Sequence, residues 1–439
     1  MNLHYGPENL QSLLGIAAIL GACWLLSEDK KRFPIWLTVG AIGVQVALIL
    51  ILFIHVDFTL FGQRFTFDSR ILLDAISAGM AGLSEATGRG MQFVFGYMGG
   101  GAQPYQVTNE GALFVFALRV LPLILVIASL SALLWHIGIL KVIIRFFGAI
   151  FEKTIGLGGA SALGVASNIF VGNVESLIII RAYLDKLTRS EVFVMLVVGM
   201  ANVAGSTMVA YVLILHDVLP NAGGHILAAA IVSAPAGVLL ARIIVPELAD
   251  RKAEKVDYDS SLKYDSVVDA VSKGTQDGMM VAMNIAAILI VLVAFVALAN
   301  MILSNFYHVG GQPITIERLL GYVFTPLAWL IGVPWNEAKT AGGLLGVKMV
   351  LTEFVAFLRL AAIPVADMTP RTRIILTYAL CGFANIGSVG ISAAGFGALM
   401  PQRRPEIFAL VWKALFAGFL ATCLSAAVVG ALPNSVYGL

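Results

Sequence analysis

The sequence contains little charge. Asp, Glu, Lys and Arg make up only 12% of its 439 residues, whereas 59% are hydrophobic. A soluble domain normally carries about 25% charged residues. A soluble chain of this length is also usually divided into domains by polar linkers, and the apolar runs here are too many and too long for that. We therefore expect lipid to be the solvent for most of the surface.

Cysteine is scarce, and the motifs of membrane hydrolases are missing. The three cysteines, Cys23, Cys381 and Cys423, lie in apolar stretches and fit neither a metal-binding spacing nor a disulfide framework. The sequence contains no H-E-x-x-H and no G-x-S-x-G pattern. A net charge of +2 gives no case for nucleic acid as a partner. We predict that the protein is not an enzyme.

The apolar segments predict an all-α polytopic membrane protein. About 20 mostly apolar residues cross a bilayer as a helix. Eight segments meet that requirement: residues 10–27, 33–56, 114–139, 191–215, 224–246, 279–303, 373–399 and 407–431. Residues 156–182 are rich in glycine and residues 341–363 carry charge, so both are predicted to be re-entrant hairpins. Residues 70–98 and 315–335 predict helices at the membrane surface.

The distribution of Lys and Arg predicts the orientation of these segments, because cytoplasmic loops carry an excess of both. The loops rich in Lys and Arg include residues 30–32, 141–153, 186–189 and 248–277. With these loops inside, the N- and C-termini lie outside, and the two hairpins must enter the membrane from opposite sides. Arg371 and Arg373 fall outside and violate the rule. The first apolar segment follows no basic region and precedes no Ala-x-Ala site, so we expect a retained membrane helix.

The sequence contains a weak internal duplication, with one copy after each predicted hairpin. Residues 199–206 and 382–388 both contain Gly-x-Ala-Asn followed by a Gly-Ser pair, and each stretch comes directly after a hairpin. Gly and Asn loosen a transmembrane helix, and the freed backbone groups must bond to protein, water or a ligand. Interrupted helices in inverted repeats are typical of carriers that bind their solute near the bilayer midplane. The alternative is that small residues here only allow close helix packing.

Two carboxylates lie at predicted membrane depth, Glu175 in the first hairpin and Glu353 in the second. An ionised side chain there is costly and usually functional. Each could accept hydrogen bonds from the hydroxyl or N–H groups of a polar solute. The alternative is a structural ion pair, for example between Glu353 and Lys348 or Arg359.

Four segments resemble the concentrative nucleoside transporter family: residues 168–175, 201–206, 346–356 and 379–385. The last of these is the most specific. The resemblance implies a homotrimer in the bacterial inner membrane, in which a transport domain moves as an elevator against a scaffold. It also implies that a cation gradient drives the uptake of a nucleoside.

The resemblance further implies a role for individual residues. It implies that the nucleobase is bound by residues at the tip of the first hairpin: Gly172, Asn173, Val174 and Glu175. It implies that the ribose is bound by residues of the second hairpin and the second interrupted helix: Glu353, Asn385 and Ser388, with Phe383 beside them. For sodium, which prefers oxygen ligands, it implies the first hairpin and the first interruption: the Asn168 side chain, the Val171 carbonyl, Asn202 and Val203.

Three departures from the family pattern bear on specificity. Asn173 and Val174 stand where the family usually has Gln-Thr, Asn202 stands where a hydroxyl is common, and Thr352 stands where Asn is frequent. The ribose half is therefore better preserved than the base half. The substrate could be a related ribosyl compound. Proton coupling through Glu175 or Glu353 is also left open, although Asn168 favours sodium.

The predicted organisation follows from these assignments. The chain divides into N-terminal peripheral helices, a first scaffold part, a first transport half, a cytoplasmic loop with a scaffold helix, and a second transport half: residues 1–69, 70–139, 140–247, 248–304 and 305–439. The leading hypothesis is secondary active uptake of nucleosides. A channel is the remote alternative, since channels often show a continuous polar pore.

Overall fold

The computed structural model describes residues 5–53, 55–60, 63–68, 70–106, 115–247, 262–306, 308–309 and 312–437 of the chain. Within these ranges the protein consists of helices and two small antiparallel β-hairpins. Where lipid replaces water, every backbone N–H and C=O must find a partner inside the protein, and a helix achieves this within one segment. The predicted fold class, an all-α polytopic membrane protein, is confirmed.

The elements follow one another in two comparable halves. The first half contains α1 (Pro7–Leu25), α2 (Ile35–Phe53), β1 (His55–Leu60), β2 (Gln63–Asp68), α3 (Arg70–Phe95), α4 (Phe116–Arg119), α5 (Leu121–His136), α6 (Ile139–Ile155), α7 (Gly159–Phe170), α8 (Asn173–Ile179), α9 (Arg189–Ala201), α10 (Gly205–Leu215) and α11 (Ala222–Ile244). The second half contains α12 (Val267–Phe306), β3 (His308–Val309), β4 (Gln312–Pro313), α13 (Ile316–Leu330), α14 (Trp335–Val350), α15 (Glu353–Ala362), α16 (Pro370–Leu380), α17 (Ile386–Leu399) and α18 (Arg404–Ala431). Short 3₁₀ turns lie at Gly96–Gly99, Arg181–Lys186, Val365–Asp367, Pro401–Arg403 and Asn434–Val436.

Six of the eight predicted spans are helical segments long and apolar enough to cross a membrane. Among the described residues these are α1, α2, α4 together with α5, α11, α12 and α18. The other two predicted spans, 191–215 and 373–399, are each built from two shorter helices, α9 with α10 and α16 with α17. The interruptions lie where the Gly-x-Ala-Asn stretches predicted them.

Both predicted hairpins are helix–turn–helix structures. In hairpin 1, α7 and α8 meet at Val171 and Gly172, and Gly172 has a φ of 122°, which favours glycine. In hairpin 2, α14 and α15 meet at Leu351 and Thr352, and the Thr352 side chain caps α15 by accepting a hydrogen bond from the Val355 N–H. The 12 residues of α7 span only about 18 Å, so this hairpin enters a bilayer core of about 30 Å without crossing it.

The structure departs from the sequence-based prediction in several boundaries. Hairpin 2 begins at Trp335 rather than at residue 341, because Pro334 starts its first helix. Helix α12 begins at Val267, so it extends well before the predicted start at residue 279. Helix α6 was not predicted, since its basic residues were assigned to a cytoplasmic loop. Its apolar residues lie on two sides of the helix, with Ile144 and Phe151 buried and Val142 and Phe146 exposed.

Helices α5 and α12 pack together as a pair that contributes its own small apolar cluster, separate from the main core. Two glycines, Gly274 and Gly278, allow this approach. A Cβ atom at Gly278 would lie 2.7 Å from the Cα of Leu125, and one at Gly274 would lie 2.8 Å from the Cα of Ser129. Small residues one turn apart are a common way to bring transmembrane helices into close contact. The main core is centred on α9, α11 and α18.

One end of this core holds a group of charged residues from loops that the sequence assigns to the same side. The Glu28 carboxylate, between α1 and α2, pairs with Arg189 at 3.0 Å and with Lys413 at 2.9 Å. The Arg403 guanidinium donates to the Leu187 carbonyl at 2.6 Å. These contacts join the starts of α9 and α18 at one face. That this face is cytoplasmic stays a prediction.

The two arginines that violate the charge rule are buried. Arg371 donates to the Asn434 side chain and the Gly430 carbonyl, and its guanidinium lies 3.2 Å from a Glu8 carboxylate oxygen. Arg373 donates to the carbonyls at the end of α15, Ile363 at 2.8 Å and Pro364 at 2.7 Å. Both side chains therefore satisfy the ends of other elements. They carry little information about the membrane side, because that rule concerns cations in exposed loops.

Candidate functional site

Glu353 lies at the tip of hairpin 2, as predicted, and its carboxylate is held from two directions. It is the first residue of α15 and is 4% exposed. The Tyr211 hydroxyl donates to Oε1 at 2.8 Å, and the Asn385 amide donates to Oε2 at 3.1 Å. Tyr211 belongs to α10, in the first half of the chain, whereas Glu353 and Asn385 belong to the second half. The two halves therefore meet at this carboxylate.

Asn385 reaches Glu353 because it caps the helix that follows the second interruption. Its Oδ1 accepts a hydrogen bond from the Ser388 N–H at 2.8 Å, and its own N–H donates to the Ser388 hydroxyl oxygen at 3.2 Å. This reciprocal arrangement is a capping box, which explains the spacing of Asn and Ser by three residues. With Oδ1 held by the helix, Nδ2 is directed to Glu353. The structure thus brings together three residues predicted to hold the ribose.

Hairpin 1 contacts the same helix one turn further on. Asn173, the first residue of α8, donates from Nδ2 to the Ser392 hydroxyl at 2.9 Å. Its Oδ1 is buried and has no partner among the described residues. A Cβ atom at Gly199 would lie 1.8 Å from this oxygen, so the first glycine of the repeated stretch makes room for Asn173. Helix α17 therefore has polar contacts to both hairpins, through its capping residue Asn385 to Glu353 and through Ser392 to Asn173.

The structure separates Glu175 from Asn173. Glu175 lines a cavity of about 120 Å³ that lies between hairpin 1 and the α5–α12 pair. Ser131 and Asp277 line the same cavity from α5 and α12. The two residues predicted to face the nucleobase therefore point to different neighbours, α17 for Asn173 and the α5–α12 pair for Glu175. The side chain of Val174, also predicted at this tip, lies outside the described part of the chain.

The two interruptions contact each other. Helix α9 ends at Ala201, and the Asn202 carbonyl accepts a hydrogen bond of 3.1 Å from the Phe383 N–H of the second interruption. A Cβ atom at Gly382 would lie 2.6 Å from the Ala201 carbonyl oxygen. Backbone groups freed by one break are thus partly satisfied by the other, as an interrupted helix in lipid requires.

The residues predicted to bind sodium lie on elements that the structure places in contact. A Cβ atom at Gly205, which starts α10, would lie 2.7 Å from the Phe170 carbonyl at the tip of hairpin 1. Asn168 is buried, and its amide lies 3.4 Å from both the Gly172 carbonyl and the Ser176 hydroxyl. The other predicted ligands are buried or half-buried on these same elements: Val171, Asn202 and Val203. Within the described residues, no group of three or more His, Cys, Asp or Glu could hold a metal ion.

Neither cation that the sequence offered as a partner forms an ion pair with Glu353. Arg359 pairs with Glu317 at 3.1 Å. Lys348 is completely buried and donates to the Ala379 carbonyl and the Thr422 hydroxyl, both at 2.7 Å. The carboxylate is therefore satisfied by neutral donors, which leaves its charge available to a ligand.

Sequence analysis did not identify Tyr211 or Ser392. Tyr211 is fully buried, and its ring stacks on Phe357 with centroids 4.7 Å apart. A tyrosine or serine in an apolar helix is common, and no local pattern distinguishes these two. A weak signal was available for Ser392, because it lies one turn after Ser388 on the same face of α17.

Two family models match the chain. The model described as "Na+ dependent nucleoside transporter C-terminus" matches residues 225–430, and the model described as "Nucleoside recognition" matches residues 117–217. Together they include both hairpins and both interruptions.

Known proteins resemble the chain over nearly its whole length. An uncharacterized transporter of Bacillus subtilis, YutK, is 36% identical over 96% of this chain and 98% of its own. The nucleoside permease NupC of Helicobacter pylori is 32% identical over 96% and 97%. The solved structure of CNTnw in an inward-facing substrate-bound state has a TM-score of 0.83 at 34% identity and covers 96% of this chain and 97% of its own. The likeness first seen in four short segments therefore extends over the whole fold.

Proposed function

Because this chain belongs to the concentrative nucleoside transporter family, we propose that it takes up nucleosides by symport with sodium. The observation that carries this proposal is the buried Glu353 carboxylate, held by the Tyr211 hydroxyl and the Asn385 amide. A charge at membrane depth is costly and is usually retained where it serves a function. Its partners come from both halves of the chain, so the site forms only when the two repeats are assembled.

The ribose binds at Glu353. A carboxylate can accept about four hydrogen bonds, and two of these sites are filled by Tyr211 and Asn385. The remaining lone pairs match a pair of neighbouring ribose hydroxyls, both of which are donors. Ser388 lies beside Asn385 and completes this side of the site. Such bonds to an ionised acceptor are stronger than those between neutral groups.

The nucleobase binds beside hairpin 1. Asn173 is joined to α17 by Ser392, and its buried Oδ1 is an acceptor that an N–H group of a base can satisfy. Phe383 is half-buried at the second interruption and offers an aromatic face to the base. Gly172 provides the sharp turn at the tip. Val174 and Glu175 follow Asn173 on α8, and Glu175 lies on the side that faces the α5–α12 pair.

Sodium binds between the tip of hairpin 1 and the first interruption. The ligands are the Asn168 side chain, the Val171 carbonyl, Asn202 and Val203, which supply neutral oxygens to a hard cation. Because Gly205 lies against the Phe170 carbonyl, an ion bound here would join the tip of hairpin 1 to the start of α10. The same helix α10 carries Tyr211, which links the ion to Glu353.

Hydrogen-bond counting at Asn202 supports its role as an ion ligand. The Ser233 hydroxyl lies near both Asn202 Oδ1 and the Ala230 carbonyl, but it has one proton to donate. If that proton goes to Ala230, the Asn202 amide must turn over and donate from Nδ2 to Ser233. This orientation also gives a partner to Nδ2, which otherwise has none among the described residues. It leaves Oδ1 as a buried oxygen without a donor, which is what a cation requires.

Transport follows an elevator movement. The α5–α12 pair, from the predicted scaffold parts 70–139 and 248–304, stays fixed while the transport halves 140–247 and 305–439 move past it. The cavity beside Glu175 lies at the boundary between these two bodies. In the N-terminal part, 1–69, α1 packs on α13 and α18, and α2 packs on α11, so these helices lie at the periphery of the transport halves.

The protein functions as a homotrimer in the bacterial inner membrane, with both termini outside. Helix α12 exposes a long apolar face: Met279, Met280, Met283, Ile290, Phe295, Leu298 and Met301. This face contacts a second copy or lipid. The charged face around Glu28 and Arg189 is cytoplasmic, in agreement with the distribution of Lys and Arg.

Uptake of labelled uridine and adenosine into proteoliposomes tests the proposal. Sodium and proton gradients are imposed separately, and we expect uptake with sodium alone. Uptake with only a proton gradient would support proton coupling through Glu175 or Glu353, and competition by other ribosyl compounds would broaden the substrate class. Folded protein that shows no gradient-driven uptake of either nucleoside contradicts the nucleoside assignment, and conductance far above carrier turnover favours a channel.

Glu353→Gln should reduce nucleoside uptake by about tenfold or more, because the ribose hydroxyls lose an ionised acceptor. Glu406→Gln, which changes a charge at the predicted cytoplasmic face, serves as the matched control. The measurement is initial uptake rate against nucleoside concentration. Uptake at normal affinity in Glu353→Gln would remove the proposed ribose role.

A further inference from the structure

Lys348 is a charged side chain in the interior that has no role in the proposed cycle. It is completely buried in α14, and its ammonium donates to the Ala379 carbonyl and the Thr422 hydroxyl, both at 2.7 Å. The same ammonium lies 5.3 Å from the centre of the Phe419 ring. Burying a cation is costly unless hydrogen-bond acceptors or negative charges held in place beside it compensate for its lost hydration. Its surroundings should therefore explain its presence.

The partner of Lys348 is a carbonyl that the second interruption leaves without its helical donor. In an α-helix the Ala379 carbonyl would accept from the Phe383 N–H, but that N–H is directed to the Asn202 carbonyl of the first interruption. Ala379 lies in the last turn of α16, at the negative end of the helix dipole. The Lys348 ammonium thus satisfies an orphan carbonyl and neutralises the end of a half-helix in the membrane interior.

The place of Lys348 in the second repeat corresponds to the place of the ion site in the first. Asn168 and Lys348 each stand two residues before the end of the first helix of their hairpin. The long helix that closes each repeat also places a hydroxyl in this region: Ser233 of α11 contacts Asn202 in the first interruption, and Thr422 of α18 contacts Lys348 in the second hairpin. The first repeat offers neutral oxygens at this position, and the second repeat offers an ammonium.

We propose that Lys348 is a built-in cation, which in the second repeat takes the place that sodium takes in the first. It holds the end of α16 at the second interruption, where Asn385 and the substrate lie. The ion site of the second repeat is thus permanently filled, and only the first repeat responds to sodium. This inference rests on the proposed function, because it assumes a sodium site in the first repeat.

Nucleoside binding to purified protein, with chemical rescue, tests the inference. Lys348→Met keeps the length of the side chain and removes its charge, and we expect binding about tenfold or more weaker. Lys348→Ala leaves space for a small solute, and ethylammonium should restore binding several-fold, whereas ethanol of similar size should not. Lys339→Met is the matched control, since Lys339 lies exposed on the same helix, above the Tyr322 ring. Thermal unfolding is followed for each variant.

The outcomes separate this inference from the proposed function. Wild-type protein that binds no nucleoside overturns both. Binding that ignores sodium overturns the sodium site of the first repeat and, with it, the correspondence between that site and Lys348, but it leaves nucleoside binding in place. Lys348→Met with wild-type affinity, or Lys348→Ala rescued equally by ethanol, overturns the role of the charge. If neither lysine variant folds, Thr422→Val decides the matter, because it removes one acceptor of the ammonium and keeps the methyl group against Gly382. Unchanged nucleoside affinity in Thr422→Val would then overturn the inference, and a several-fold loss would support it.

Discussion

Tyr211→Phe should weaken nucleoside binding without disturbing the packing of α10. The substitution deletes the hydroxyl that donates to Glu353 Oε1 at 2.8 Å. It keeps the ring, which stacks on Phe357 at 4.7 Å and meets the edge of Phe354 at 5.5 Å. The buried carboxylate would retain one of its two protein donors, the Asn385 amide. Its orientation towards the ribose would then be less well defined.

The magnitude follows from the kind of bond that is lost. A hydrogen bond to a charged group contributes about 1.5–3 kcal/mol, which corresponds to a factor of about ten to about one hundred in affinity. This range is an upper limit for the effect on binding, because part of the cost falls equally on the empty and the occupied site. We therefore expect the dissociation constant of uridine or adenosine to rise by about tenfold, with sodium present at saturation.

Equilibrium binding by calorimetry is the appropriate assay, and the chain offers a matched control. Tyr378 is also fully buried, but its hydroxyl has no partner among the described residues. Tyr378→Phe removes the same atom from a comparable environment and should leave nucleoside affinity unchanged. If Tyr211→Phe and Tyr378→Phe both bind like the wild type, the Tyr211 hydroxyl does not position Glu353, and α10 does not link the ion to the substrate by this route.

Two further predictions concern close packing and pH. Gly199→Ala should lower both nucleoside affinity and thermal stability, because the added Cβ would lie 1.8 Å from Asn173 Oδ1 and such overpacking costs about 1–3 kcal/mol. Gly390→Ala is the control, since a Cβ there meets nothing within 4 Å. Equal affinity and stability of the two variants would contradict the packing argument. Partial burial tends to raise the pKa of Glu28, but the hydrogen bonds from its two basic partners outweigh it and hold that pKa below its ordinary value of about 4.5. The folded state therefore gains stability from this carboxylate above about pH 4.5, and the gain is lost as the pH falls through the lowered pKa. The difference in melting temperature between the wild type and Glu28→Gln should accordingly be present at neutral pH and vanish in acid, and a difference that persists in acid would show that the ion pairs are not its cause.

Part of the candidate site could be predicted from the sequence because its residues break a local rule. Glu353 is a charge in an apolar segment, and Asn385 is an amide where a membrane helix should continue. Both violations are visible without knowledge of the fold. The structure brings these two side chains together at 3.1 Å. Their roles in binding remain proposals.

Other parts of the site could not be predicted because they depend on contacts between distant segments. Tyr211 and Glu353 are 142 residues apart, and nothing around either of them indicates the other. The family resemblance predicted that Asn173 and Glu175 both face the nucleobase at the tip of hairpin 1. A helix, however, directs residues two positions apart to different sides. The structure accordingly turns Asn173 to α17 and Glu175 to the α5–α12 pair.

The sequence by itself determined the class of protein, the positions of the spans and hairpins, and the two interruptions. These features depend on composition and on Gly and Asn within short segments, where lipid forces the backbone to satisfy itself locally. Only the tertiary structure decided which freed groups satisfy one another. The Phe383 N–H binds the Asn202 carbonyl of the other repeat, and Lys348 takes the carbonyl of Ala379 that this leaves open. Such exchanges between repeats follow from how the helices pack, and packing joins residues that the sequence keeps far apart.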